Sequence, residues 1–445
     1  MRISTSLMIQ NSLNSMLDQQ LSLSQVQLQI STGRRIISPS DDPYGSSRSL
    51  NLDEGIAINT QYSVNGNFAD IRLATTEAAL DGLTNAVQRV REQMVYANND
   101  ALNSESRKAI REEIIQLRDQ ILALSNTTDS NGEYLFSGYQ GNKKPFSPDG
   151  TGNFLYAGDD GQRYLRIGSQ TEVAVSDSGK EVFMDIMNGN GTFRTSQDPA
   201  NTGAGVIGPG SVTGVYLPYN YQIKFLPPAS GLVTDPQEYY VVNTDTLEVL
   251  AAGSGTAASG SGGVYATEAA FLAAVGGGLD TGVPYESGAA IQGLNLDGML
   301  VEMIGQPDGG TIAATPQDVF NIAPSEHQDL FATVQNFVDA LASPQETEAD
   351  NAHFHNAMNR ALIDIEQNMS RILEIRARIG GRMNTVQRQQ DINETFNLEM
   401  KKNRSDIQDL DYAEAITNLN LQLQSLQAAQ NTYSKIQSLS LFNFL

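Results

Sequence analysis

Apolar residues recur at coiled-coil spacing at both ends of the chain. Ile9, Met16, Leu23 and Ile30 stand seven apart, with Leu13, Leu17, Leu21 and Leu28 beside them. Near the other end Ile416, Leu419, Leu423, Leu426 and Tyr433 follow steps of three, four, three and seven. Both patterns predict helices with one sticky face. What surrounds the stripes is unusual. Residues 4–31 hold sixteen Ser, Thr, Asn or Gln and a single charge, Asp18, and residues 416–445 hold fifteen and a single charge, Lys435. Helices without a charged outer face lack ion pairs for solubility, so these two suit burial among copies of themselves.

The neighbouring stripes have ordinary charged faces. Leu73, Leu80, Val87 and Met94 are seven apart with Leu83 and Val90 between them, and Ile110, Ile114, Leu117, Ile121 and Leu124 follow steps of four and three. Leu330, Val334, Phe337 and Leu341 continue the pattern after Ser325, the expected N-cap. A new helix is expected from Pro344 to about Arg404, where Gly380-Gly381 are the only glycines and the expected bend or break. About sixty helical residues would span roughly 90 Å.

The middle is a different material. Thirty of 39 glycines and twelve of 15 prolines lie in 141–324. Runs at Tyr219–Leu226 and Tyr239–Leu250 read as strands separated by turn residues, and Thr267–Val275 as one short helix. The fold class predicted is α+β: a long antiparallel coiled-coil rod of N- and C-terminal helices with an inserted β-rich region of one or two small domains. Its expected domains are 1–45 plus 405–445 as a terminal helical assembly domain, disordered in the monomer; 46–140 plus 325–404 as a long-helix bundle; and 141–324 as a surface-projecting insert.

Charge and chemistry narrow the function. The net charge is −23, and residues 140–318 alone carry 7 basic against 19 acidic groups, which is −12. That balance disfavours nucleic acid, whose phosphates need clustered Lys and Arg. No cysteine is present, which removes disulfides and thiolate chemistry. No apolar run approaches the ~20 residues of a membrane helix. The start reads as polar and amphipathic, not as a cleavable leader, so a chain that leaves the cell would use a route that reads something other than such a leader. His353 and His355 are two apart and face different sides of a helix, and His327 stands alone; solvated or capping roles are expected for all three. Gly203, Gly205 and Gly208 form a Gly-x-Gly-x-x-Gly string without a preceding strand or a following helix, which reads as a flexible loop. Thr127-x-Asp129-x-Asn131-Gly132 lacks the bidentate acid of a calcium loop. No catalytic, cofactor-binding or metal site is predicted, and an enzyme is not expected.

Several motifs carry a family likeness. Ile30-Ser31-Thr32-Gly33-Arg34-Arg35-Ile36 followed by Pro39-Ser40-Asp41-Asp42-Pro43 resembles the N-terminal signature of the flagellin superfamily. Ile379-Gly380-Gly381-Arg382-Met383-Asn384 and Asp409-Leu410-Asp411-Tyr412-Ala413-Glu414-Ala415 resemble its C-terminal pattern, and Asn131–Gly138 is similar to the segment where members leave the helical region. Physically, Gly33 suits the residue that ends a helix, and Ser40, Asp41 or Asp42 could cap the next one. The start Met1-Arg2-Ile3-Ser4-Thr5 and the finish Leu439–Leu445 look more like the hook-associated members than flagellin itself. The resemblance implies a structural subunit of the bacterial flagellum at the hook–filament junction, exported through the flagellar channel and placed outside the cell. It implies as partners hook-associated protein 1, flagellin, further copies in a ring and an export chaperone, with no membrane partner. The expected interface is Ile9, Leu13, Met16, Leu23 and Ile30 packed among Ile416, Leu419, Leu423, Leu426 and Tyr433. A flagellin building the filament is the alternative, and a surface binding module or hydrolase in 141–324 is a further one.

Overall fold

The computed structural model describes residues 5–99, 101–150, 153–228, 236–251, 265–276, 281–294, 298–310 and 317–442. Its elements separate as the sequence patterns do: helices in the outer parts, short strands between them. The expected Asn443-Phe444-Leu445 finish and the start through Ser4 lie outside the described residues.

Contacts divide the chain into two compact units. The first comprises residues 1–68, 166–172 and 385–445. It contains helix α1 (Thr5–Thr32), the beginning of α2 (Pro43–Ala97), the end of α7 (Glu348–Gln408) and α8 (Tyr412–Phe442). The second comprises 69–165 and 173–384. It holds α3 (Ser104–Ser125), the short α4 (Gly179–Phe183) and α5 (Glu268–Gly276), α6 (Leu330–Ala342), and the strands.

In the second unit the stripes become the core. Leu73, Leu80, Leu83, Val87, Val90 and Met94 of α2 are buried, as are Ile110, Ile114 and Ile121 of α3 and Val334, Phe337 and Leu341 of α6. α7 adds Phe354, Met358, Ile365, Ile372, Ile375 and Ile379. Ion pairs tie its outer face to α2: Arg376 reaches Glu77 at 2.6 Å and Asp81 at 2.8 Å, and Arg91 meets Glu366 at 2.9 Å.

Helix starts differ from expectation. Asp329, not Ser325, caps α6 by accepting from the Ala332 amide, while the Ser325 hydroxyl donates to Asn188 O at 2.7 Å. α7 begins at Glu348 instead of near Pro344 because Thr347 and Asp350 form a reciprocal capping box: the Asp350 amide donates to Thr347 Oγ1 and the Thr347 amide to Asp350 Oδ2. Nor do Gly380 and Gly381 break it. The helix runs unbroken for 61 residues, and a Cβ at either glycine would meet open space.

The middle is built on one antiparallel sheet. Strands Val249–Ala251, Glu238–Asn243, Tyr221–Leu226, Val319–Pro324 and Phe193–Gln197 follow one another across it, with Val283–Pro284 also pairing Glu238–Asn243. Alternation along the strands feeds two cores. Phe193, Tyr221, Ile223, Phe225, Tyr239, Val241 and Phe320 fill one side. Leu226, Tyr240, Val242 and Val249 fill the other, under Phe271 of α5. Glu268 of α5 fixes that cover by accepting from Tyr240 Oη at 2.6 Å and pairing with Lys224 at 2.6 Å. Burial pushes the Tyr240 hydroxyl far above its usual range, and the Glu268 carboxylate adds to the shift.

The Gly-rich string is not the flexible loop expected. Ala204–Ile207 is a strand paired with Met303–Gln306. The buried Asp318 carboxylate accepts from the amides of Thr202 at 2.9 Å, Gly203 at 3.1 Å and Asp308 at 2.8 Å. At Gly203 a Cβ would fall 2.2 Å from the Asp308 nitrogen, so only glycine fits.

Candidate assembly surface

The motif residues build a compact turn in the first unit. Gly33 ends α1 with φ +69°, its amide donating to Gln29 O at 2.8 Å. A Cβ there would meet Tyr412 Oη at 3.0 Å. Beyond it the strand-like Arg34 faces Asp409, the Leu410 amide donates to Gly33 O at 3.0 Å, and the Arg35 amide to Gln408 O at 2.8 Å. The Arg35 guanidinium donates to Ile407 O at 2.7 Å and meets Asp42 at 3.3 Å. Thus the end of α1 is stitched to the start of α8, and the two helices run antiparallel against each other.

Asp41 closes the turn by accepting from the Ser38 amide at 2.9 Å and the Ile37 amide at 3.1 Å. Those bonds, Ser38's first, hold its carboxyl below the usual carboxylate range. Of the three candidates, Asp42 is the cap: it accepts from the Gly45 amide at 2.8 Å, with Pro39 in the preceding turn and Pro43 opening α2. Asp411 caps α8 by accepting from the amides of Ala413 at 2.9 Å and Glu414 at 3.2 Å.

Burial sorts the expected interface into two rows. On α1 the covered positions are Ile9, Ser12, Met16, Gln19, Leu23, Val26 and Ile30, an unbroken three–four alternation. On α8 they are Ala415, Leu419, Gln422, Leu426, Ala429 and Tyr433. This is the seam between the two helices. Within the single subunit Ile416 and Leu423 are 49% and 43% exposed, because the heptad of α8 runs from Ala415 and leaves them one position off the seam. Leu13 is likewise 44% exposed. Leu7, Leu17, Leu21 and Leu28 of α1 and Leu421 of α8 are exposed as well; by helical spacing the five α1 leucines share one outward face, whereas Leu421 falls on the other flank of α8 from Ile416 and Leu423. Gln19 and Gln422 sit within the seam, each with a buried carbonyl oxygen that has no partner.

Sequence reasoning missed a second set of residues. In the second unit α7 carries a ladder of polar side chains that grips the backbone of the β-rich region. His353 Nε2 meets Asn201 O at 3.0 Å and its Nδ1 meets Gln197. Asn356 accepts from the Ile207 amide at 2.8 Å and donates to Gly205 O at 2.9 Å. Asp364 accepts from the Gly189 amide at 2.7 Å, Arg371 donates to Glu181 O at 3.1 Å, and Arg382 takes Asp177 in a two-pronged pair. They stand three, eight, seven and eleven residues apart, close to whole helical turns, and so share the side of the helix away from Phe354, Met358 and Ile365. That spacing was the available signal. The ladder also corrects the expectation for the histidines: His353 is a tie to the insert, and His355 bonds Asn98 Oδ1 at 2.8 Å. His327 remains mostly exposed, beside Asp185 at 2.8 Å.

In the first unit the tip of the 164–174 hairpin is held the same way: Asn393 donates to Ile167 O at 2.8 Å and Asn65 to Arg166 O at 2.7 Å. Asp129 is occupied by Arg72 at 2.8 Å and by the amides of Asn131 and Glu133. Among the described residues no group of three His, Asp or Glu is arranged to hold a metal, and no helix is long and apolar enough to cross a membrane.

Two family models match the chain, the bacterial flagellin N-terminal helical region over residues 3–141 and the bacterial flagellin C-terminal helical region over residues 362–445. The chain belongs to the flagellin superfamily. Flagellar hook-associated protein 3 of Escherichia coli K12 is 33% identical over 186 residues, which are 42% of this chain and 58% of that protein. The matched part therefore spans less than two thirds of this curated relative. The crystal structure of hook-associated protein 3 from Legionella pneumophila superimposes with a TM-score of 0.68 at 26% identity, covering 80% of this chain and 98% of that one. FlgL of Xanthomonas campestris does so with 0.64 at 27% identity, covering 80% and 99%. The chain is homologous to hook-associated protein 3, and a coverage of 80% takes in the helical parts and at least part of the β-rich middle.

Proposed function

We propose that this protein is a structural subunit of the flagellar hook–filament junction, attached by packing of α1 and α8. One observation carries the reading: the pair has an inner seam that holds the subunit's own helices together and an outer row of five exposed leucines on α1, with Ile416, Leu421 and Leu423 exposed on α8, and almost no charge around them. An exposed apolar row of that length on a monomer marks an interaction surface. The proposed occupants are further copies in a ring, hook-associated protein 1 on one side and flagellin on the other. Before export through the flagellar channel a chaperone would cover the same leucines. The terminal segments, 1 to about 45 and about 405 to 445, are proposed to be mobile in the free subunit and to set on assembly, since a two-helix seam interrupted by Gln19 and Gln422 offsets little of the ordering cost of ~1–2 kcal/mol per residue. Residues 46–140 with 325–404 would form the bundle domain and 141–324 the exposed insert.

Electron microscopy of the purified protein after salting-out separates this role from that of a filament subunit. Short or ring-like assemblies support the junction, and long self-seeded filaments support flagellin.

A further inference from the structure

The polar ladder on α7 has one open rung. Between Asn356 and Asp364 the next position on that side is Arg360, and among the described residues no carboxylate or carbonyl meets its guanidinium. Protein surrounds the side chain on several sides, yet it stays accessible, because it lines a half-open cavity of about 650 Å³ within the second unit. The cavity lies between α6, α7 and the sheet strands Phe193–Gln197 and Val319–Pro324.

The other walls say what would fit. Arg194 enters from the sheet, paired at 3.1 Å with the mostly exposed Glu326. Two guanidiniums therefore share one cavity. Asp364 is close enough to attract Arg360 but is committed elsewhere, accepting from the Gly189 amide at 2.7 Å and from Gln328 Nε2 at 3.2 Å. Turning it toward Arg360 would orphan those donors in a buried place. Burial pushes the ionisation of Arg360 down, Asp364 opposes that, and Arg194 reinforces it; an incoming carboxylate would relieve the strain. Asn321, whose carbonyl already accepts from Gln222 Nε2 at 2.9 Å, keeps its amide donors, and Asn336 and Ser196 add neutral hydrogen-bonding groups. Alanines at 323, 340 and 357 leave room between them.

We propose that this cavity binds a hydroxylated carboxylate, such as a uronic acid unit of an acidic polysaccharide, with Arg360 taking the carboxylate and the amides and Asp339 taking hydroxyls. A guanidinium grips a carboxylate with two parallel bonds, and the volume lies within the range of small-molecule sites. Asp339 and Asp364 select against inorganic phosphate, whose second charge would face two carboxylates. This inference is independent of the junction role, because none of these residues lies on α1 or α8.

Saturation-transfer NMR and calorimetry on the full chain with sodium D-glucuronate, D-glucose and inorganic phosphate test it. Saturable glucuronate binding is expected, at least tenfold tighter than glucose or phosphate. Arg360→Gln should weaken glucuronate tenfold or more without lowering the melting temperature, and Ala357→Leu, which narrows the cavity and keeps both arginines, should weaken it as well. Absence of saturable glucuronate binding to the unaltered protein overturns the site. Equal binding of glucuronate by both variants, or phosphate binding as tightly as glucuronate, also overturns it.

Discussion

Arg382 and Asp177 meet through two bonds, 2.7 and 3.0 Å long, with the carboxylate side chain 1% exposed and the guanidinium 18%. Arg382 belongs to the Gly-Gly-Arg motif of α7, and Asp177 to the chain just before α4. Gln162 Nε2 also donates to the carboxylate at 3.1 Å. Removing the arginine strands a buried charge, which costs about 3–5 kcal/mol. Arg382→Ala should therefore destabilise the second unit by that order in urea melts, whereas Arg382→Met combined with Asp177→Leu should recover most of it. Equal losses in the two variants would show that packing, not the charge, matters there.

Gly33 is held by two constraints at once, positive φ and the nearby Tyr412 hydroxyl. In the assembled subunit, where the ends are set, Gly33→Ala should weaken this turn by about 1–3 kcal/mol and lower filament attachment on cells, with little effect on melting of the free subunit. Tyr412→Phe in the same chain should return only the part due to crowding. Filament attachment unchanged by Gly33→Ala would mean that the assembled subunit does not use this turn.

Asp364 gives the middle of α7 a pH dependence of definite sign. Burial raises its carboxyl above the ordinary value, the Gly189 amide, Arg360 and Gln328 only partly opposing that. A raised folded value contributes stability that is fully present below the unfolded value, near 3.8, and is lost as pH rises through the folded one. Denaturation profiles of the unaltered chain and Asp364→Asn should therefore converge in this contribution at acidic pH. Above the folded value the unaltered chain should have lost stability that the asparagine variant keeps. Parallel profiles across the acidic range would refute the assignment.

Amide exchange on the free subunit should report weak protection in 5–30 and 412–435 and strong protection around Leu80–Met94 and Ile365–Ile379. The first two segments have only a single two-helix seam to protect them, while the others are sealed among several elements. Strong protection of 5–30 would sink the proposal that the ends set on assembly.

The helices were legible because a three–four apolar alternation leaves few alternatives: Leu73 to Met94 and Leu330 to Leu341 show it plainly. Their starts were less so. Ser325 and Pro344 are good local signals, but Asp329 and the Thr347–Asp350 box outcompete them by supplying real acceptors to the first amides. Along α8, Ile416 and Leu423 look like seam residues by apolarity alone. The seam instead takes Ala415, Gln422 and Ala429, which no hydrophobic count would choose. The order in Gly203–Gly208 comes from Asp318, more than a hundred residues away, and the open rung at Arg360 follows from Asp364 being taken by the amides of Gly189 and Gln328, which reach it from outside α7. Such long-range pairings leave no local trace.

The outer apolar row is the centre of this account, and Leu423→Asp tests it most directly. Leu423 lies off the α1–α8 seam, so the charge should leave monomer helicity as it is, whereas Leu426→Asp should disturb the seam itself. The measurement is filament attachment, counted by electron microscopy on cells whose own junction protein is replaced by each form. The unaltered chain should restore attached filaments, and Leu423→Asp should leave hooks bare although the subunit is folded and exported. Normal filament attachment with Leu423→Asp would contradict the account.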